Sequence, residues 1–121
     1  MNTFDPDRAK LSEEVETIFY AHPGQYVREV VVAGVSVGTN AHERLLRAWL
    51  VLSKAGEKAG DPAVVDALRR WTERHLVKSK WLHGGIEVVG ELPKSSTGKT
   101  LRRVLVDDYE RRVGVMVKGK L

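Results

Sequence analysis

The residue types that could do chemistry in this chain are gathered in one stretch, Leu92-Pro93-Lys94-Ser95-Ser96-Thr97-Gly98-Lys99-Thr100-Leu101-Arg102-Arg103. Proline at 93 ends a strand, Ser95, Ser96 and Gly98 keep the following loop small and adaptable, and a helical apolar period behind it anchors the far end. Such a loop can push a side chain well clear of a domain surface. Lysine suits that place because its ammonium is a compact charge on a long flexible stem, able to sit between two anions.

A lone Gly-Lys pair would carry no such weight, since most loop lysines do no more than solvate the surface. The order strand, loop, Gly98-Lys99-Thr100, helix also has the form of a phosphate-binding P-loop. That reading fails at one position. The cradle needs glycine five residues before Gly98, where amides turn inward on the phosphates, and the chain has Pro93 there, without an amide donor.

The elements that must position this loop can be read from periodicity. Residues 1–10, with Asp5-Pro6-Asp7, are polar and aperiodic and are expected to form an irregular lead-in. Ser12 is a candidate cap for a helix with Leu11, Val15, Ile18 and Phe19 at helical spacing, stopped by His22-Pro23-Gly24. Dense β-branched residues from Tyr26 to Val37, a turn at Gly38-Thr39-Asn40 and the apolar run Leu45 to Leu52 suggest paired strands. Lys54 to Gly60 reads as a charged loop, and Asp61-Pro62 as the cap and first residue of a helix whose apolar side holds Val64, Val65, Leu68 and Trp71, then His75 or Leu76. Ile86 to Val89 reads as a short strand, and Thr100 as the cap of a last helix with Leu101, Val104, Leu105 and Asp108 or Tyr109 on one side. The order α-β-β-α-β-α predicts an α+β domain, a small mixed or antiparallel sheet of about three main strands packed with three helices.

Composition fits one domain: 121 residues, 42% of them apolar, can bury a core without a staple. The absence of cysteine excludes a disulfide framework and a thiolate metal site. Twenty Lys and Arg against 16 Asp and Glu leave a formal charge of +4, interleaved along the chain, which implies a weak preference for anions. Apolar stretches such as Val30-Val31-Val32-Ala33 are too short to span a bilayer, and the N-terminus lacks the order of a secretory signal, so the expected location is cytoplasmic. Gly119-Lys120-Leu121 is similar to the peroxisomal Ser-Lys-Leu address with glycine in place of serine; a basic tail over residues 113–121 is the plainer reading.

Taken whole, Pro93-Lys94, the polar triplet, Gly98-Lys99 and Leu101-Arg102-Arg103 with Leu105 resembles the closing motif of the adenylate-forming enzymes, the acyl- and aryl-CoA synthetases with their luciferase and peptide-synthetase relatives. The similarity extends over roughly residues 11–112. It takes in the helix ending at His22-Pro23, Val27-Arg28-Glu29-Val30 with Val32-Ala33-Gly34-Val35, and Glu43 followed by Arg47-Ala48-Trp49-Leu50-Val51-Leu52. Lys80-Trp81-Leu82-His83-Gly84-Gly85-Ile86 looks most like the 4-coumarate-CoA ligase branch.

The resemblance implies a mobile C-terminal lid that works with a large N-terminal domain binding ATP, magnesium and a small carboxylic acid, and that rotates between a pose for adenylation and a pose for transfer to CoA. It implies that Lys99 is the adenylation lysine, with Ser96, Thr97 and Gly98 on the ATP side of the loop, and that Lys80 and Trp81 lie near CoA. Packing for Trp81 and solvation for Lys80 are the competing readings. It assigns no metal ligand to this chain, and His22, His42, His75 and His83 show no ligand spacing. For Arg103 an ion pair within the domain and a phosphate contact are both open. Met1 to Lys10 lacks the hinge residue and glycine-bearing strand pair with which family members open this domain, so the chain is expected to be a fragment without ligase activity by itself. Two other readings are a basic α+β module for nucleic acid or another polyanion, which the interleaved charges and lack of a nucleic-acid motif count against, and a non-catalytic regulatory fragment in which Lys99 is a modification site.

Overall fold

Val30-Val31-Val32-Ala33-Gly34-Val35 contains no polar side chain because the strand it forms is covered on both faces. The computed structural model describes residues 6–37 and 40–119. In it β1 (Val27–Val37) pairs antiparallel with β2 (Asn40–Leu52), and β3 (Gly85–Val88) joins the other side of β2 in parallel, giving a mixed sheet of order β1-β2-β3. Alternation then sorts the side chains. Val30, Val32, Ala48, Leu50 and Leu52 face one core, completed by Val15 and Phe19 of α1 (Pro6–Tyr20) and Val64 and Leu68 of α3 (Asp61–His75). Val31, Ala33, Val35, Trp49 and Val51 face a second core with Leu92, closed by Leu105, Val106 and Tyr109 of α4 (Arg102–Gly119). The domain is thus α+β with three layers, α1 and α3 against one face of the sheet and α4 against the other.

Several expected boundaries move, each for a local reason. α1 begins at Pro6, whose fixed φ suits a first turn, so Ser12 lies within the helix and does not cap it; residues 1–5 of the expected lead-in lie outside the described residues. Lys54 to Gly60 is not a loop. It forms a further helix, α2 (Lys54–Ala59), capped by Ser53, whose Oγ accepts from Gly56 N–H at 3.1 Å, so four α-helices stand among the described residues where three were expected. The glycine that made this stretch look like a loop is there for close approach: a Cβ on Gly56 would lie 2.4 Å from the Tyr26 carbonyl oxygen. Asp61 is itself helical, with Gly60 in the cap position.

Trp71 is half-buried and turns towards α1, donating its indole N–H to the Ile18 carbonyl at 2.8 Å, while Thr72 takes the buried position one residue on. α4 starts at Arg102, and Thr100 pairs with Lys94 instead of capping it. Leu101 donates its N–H to the Pro93 carbonyl at 2.9 Å, which holds it outside the helix and sets the phase that follows. The buried side is therefore Leu105, Val106 and Tyr109, and Val104 is left 50% exposed. α4 continues through most of the expected tail, while Lys120 and Leu121 of the Gly-Lys-Leu ending, like Gly38 and Thr39 of the expected turn, lie outside the described residues. Among the described residues no helix is long and apolar enough to cross a membrane.

β1 is an edge strand, and three of its outward amides are covered by side chains, which blunts a template for chain-to-chain pairing. Val30 N–H donates to the Tyr20 hydroxyl at 3.1 Å, Val32 N–H to Glu16 Oε2 at 2.8 Å and Ser36 N–H to Glu110 Oε2 at 2.7 Å. α1 and α4 thereby meet across the edge from opposite faces.

Candidate functional site

Between Leu92, buried in the second core, and Arg102, the first residue of α4, the chain forms a small hairpin that stands off the domain. Lys94 and Thr100 pair as its last rung. Ser95 N–H donates to the Lys99 carbonyl at 2.8 Å and Gly98 N–H to the Ser95 carbonyl at 2.9 Å, so Ser96, Thr97 and Gly98 make a three-residue turn. Such a turn needs a left-handed residue in its third place, and Gly98 supplies it with φ +86°. Ser95 stiffens the inside, its hydroxyl 2.9 Å from that of Thr97 and accepting the Lys99 N–H at 3.2 Å. What looks adaptable in composition is a closed turn.

The cations of this segment are treated differently. Lys94 Nζ lies 2.5 Å from Glu29 Oε1 on β1, and Arg102 reaches Glu16 Oε2 on α1 at 2.8 Å. Arg103 is almost wholly exposed, and among the described residues its ion-pair partner is Asp107 one turn on, at 3.7 Å; Arg102, its neighbour, makes the pair across the domain. Lys99 is exposed and, among the described residues, makes no ion pair. An ammonium on a fixed turn, unspent within its own domain, can be presented to anions outside it.

Lys80 and Trp81 are not brought near this hairpin. They follow α3 in a short 3-10 turn (Lys78–Lys80), and Trp81 packs against the first core, on the face of the sheet opposite α4 and Leu92. Its indole N–H donates to the Leu76 carbonyl at 2.9 Å and Lys80 is exposed. On the hairpin's face a half-buried cation does structural work that periodicity could not signal. Arg47 on β2 donates to the Gly84 carbonyl at 2.7 Å, pairs with Glu87 on β3, and lies 4.0 Å from the Tyr109 ring centroid, with Arg112 also on Glu87 at 3.3 Å. β2, β3 and α4 are joined through that one side chain.

The fold, and a lysine hairpin running into a helix, point to one class. The AMP-binding enzyme C-terminal domain matches residues 14–99, and the chain belongs to that family, the C-terminal domains of the acyl- and aryl-CoA ligases, 4-coumarate-CoA ligase-like. A long-chain-fatty-acid–CoA ligase of Salmonella typhimurium is 37% identical over 83% of this chain and 16% of its own length. Among solved structures, a benzoate CoA ligase of Burkholderia xenovorans is 29% identical with a TM-score of 0.64, over 78% of this chain and 18% of its own. An acyl-CoA synthetase of Brucella canis is 26% identical with a TM-score of 0.67, over 84% of this chain and 17% of its own. The chain spans 13–17% of the length of the curated relatives most similar to it.

Proposed function

We propose that this chain is the mobile lid of an ATP-dependent acyl- or aryl-CoA ligase, inactive without a large adenylation domain, and that Lys99 stabilises the transition state of adenylate formation. One observation supports the reading above others: Lys99 is the exposed ammonium of a closed hairpin with no carboxylate partner among the described residues, while Lys94 and Arg102 on either side are paired.

In adenylation a carboxylate oxygen bonds to the α-phosphorus of ATP as the bond to pyrophosphate breaks. Negative charge gathers on the oxygens around phosphorus as the two anions close. A single ammonium held between them lowers that state more than it lowers the separated reactants. The hairpin supplies the ammonium, and the rest of the site belongs to the other domain. Magnesium would travel with ATP there, bridging its phosphate oxygens. In the transfer pose the opposite face of this domain, with Lys80 and Trp81, would turn towards CoA, an arrangement in keeping with their separation from Lys99 across the sheet.

The test compares Lys99→Ala with Lys99→Arg in the two-domain ligase by ATP–pyrophosphate exchange. Alanine is expected to lose about 10²–10³-fold, the usual cost of removing one aimed charge donor, and arginine less because the charge remains. Exchange by Lys99→Ala at near the parent rate would overturn the reading.

A further inference from the structure

Both feet of the hairpin are tied to the same strand. At the first foot Lys94 pairs with Glu29 on β1. At the second, Arg102 pairs with Glu16, and the same Glu16 oxygen accepts the N–H of Val32 on β1 at 2.8 Å. Lys94 and Thr100 are bridge partners, so their side chains leave the hairpin on one side. Lys99, the next residue, leaves on the other. Drawing Lys94 down onto β1 therefore turns Lys99 away from the domain.

We propose that Glu16 and Glu29 are positioning residues, a two-point clamp that fixes the direction of the Lys99 ammonium for adenylation; the proposal rests on the reading of Lys99 given above. Neither ion pair is placed to be a major support of the fold. Lys94 and Arg102 keep 41% and 46% of their side-chain surface exposed, against 27% and 15% for Glu29 and Glu16, so the cation of each pair stays solvated, which limits what the pair adds to global stability. What they restrict is orientation. Without them the hairpin keeps its internal hydrogen bonds but can swing about Leu92 and the start of α4, and a displaced catalytic group loses rate without loss of fold. The division of labour among the cations follows: those at the feet are matched to carboxylates, and the one near the tip is left for the substrate.

Glutamine is the informative replacement. At Glu16 it can still accept the Val32 N–H while losing the charge that holds Arg102. In the full chain, Glu16→Gln with Glu29→Gln should lower the amide heteronuclear NOE of residues 96–99 below the rigid-backbone range and leave β1, β2 and α3 unchanged. Exchanging the charges, Glu29→Lys with Lys94→Glu, should restore the first foot. Unchanged hairpin amides, or a fall throughout the domain, would overturn the clamp. In the two-domain ligase the double glutamine variant should slow adenylate formation roughly tenfold and leave transfer from preformed adenylate within about twofold. A parent-like adenylation rate there, with Lys99→Ala severely impaired, would sink the clamp alone; an unimpaired Lys99→Ala would sink the reading on which it rests.

Discussion

At Gly98 the φ of +86° leaves an added Cβ with no atom within 4 Å, so backbone strain is the whole cost of a side chain there. Gly98→Ala should cost about 1 kcal/mol, confined to the hairpin. It should be read as several-fold faster exchange of the Ser95 amide, which donates to Lys99, with little change in Tm. A second residue-scale expectation concerns His22. Its Nδ1 accepts the Gly24 N–H at 2.9 Å, its ring stacks on Tyr26 and meets Trp71 edge-on, and burial holds its pKa below the ordinary 6.5. The unfolded chain therefore takes up the proton first as pH falls. His22 contributes its full stability above about pH 6.5 and loses it as the pH drops towards the lower folded value. Denaturation between about pH 7.5 and 5.5 should show that slope, and His22→Asn, which keeps an acceptor for Gly24 but does not titrate, should flatten it.

Among the elements, α2 separates two readings of one sequence. As a loop, Lys54 to Gly60 would tolerate alanine for glycine or gain from it. As a helix pressed on the Tyr26 carbonyl, it cannot accept the extra carbon without movement, and Gly56→Ala should destabilise the domain by about 1–3 kcal/mol in chemical denaturation. Arg47→Ala should cost about 1–3 kcal/mol, because it removes the donor to the Gly84 carbonyl, leaves Glu87 to the more exposed Arg112 and takes away the nearer of the two cations over Tyr109. Lysine should not restore the loss, having no planar fork to reach Gly84 and Glu87 together while lying over the ring. The first two strands were legible from their dense β-branched and apolar runs, and the long helices from the apolar period that governs each of them. α2 was hidden because its glycine answers to a distant contact. On α4, Leu105 and Tyr109 were placed on the packed side, whereas Leu101 and Val104 were misassigned and Val106 missed, because Leu101 is held outside the helix by its hydrogen bond to Pro93, which no local pattern announces.

For the whole molecule, the sheet separates two faces. The hairpin and α4 stand on one, Lys80 and Trp81 on the other, and no linear motif reveals that partition. The lysine hairpin was legible because its chemistry is local, twelve consecutive residues from Leu92 to Arg103. Its supports were not: Glu16 and Arg102 are 86 residues apart and meet only when α1 and α4 close over the edge of β1. The account stands or falls on whether the exposed ammonium serves one half-reaction and not the other. Single-turnover adenylate formation by the two-domain ligase, measured beside thioester formation from preformed adenylate, decides that for Lys99→Ala. The expected result is an adenylation rate lower by about 10²–10³ with transfer nearly unchanged. Equal loss in both steps, or in neither, would contradict it.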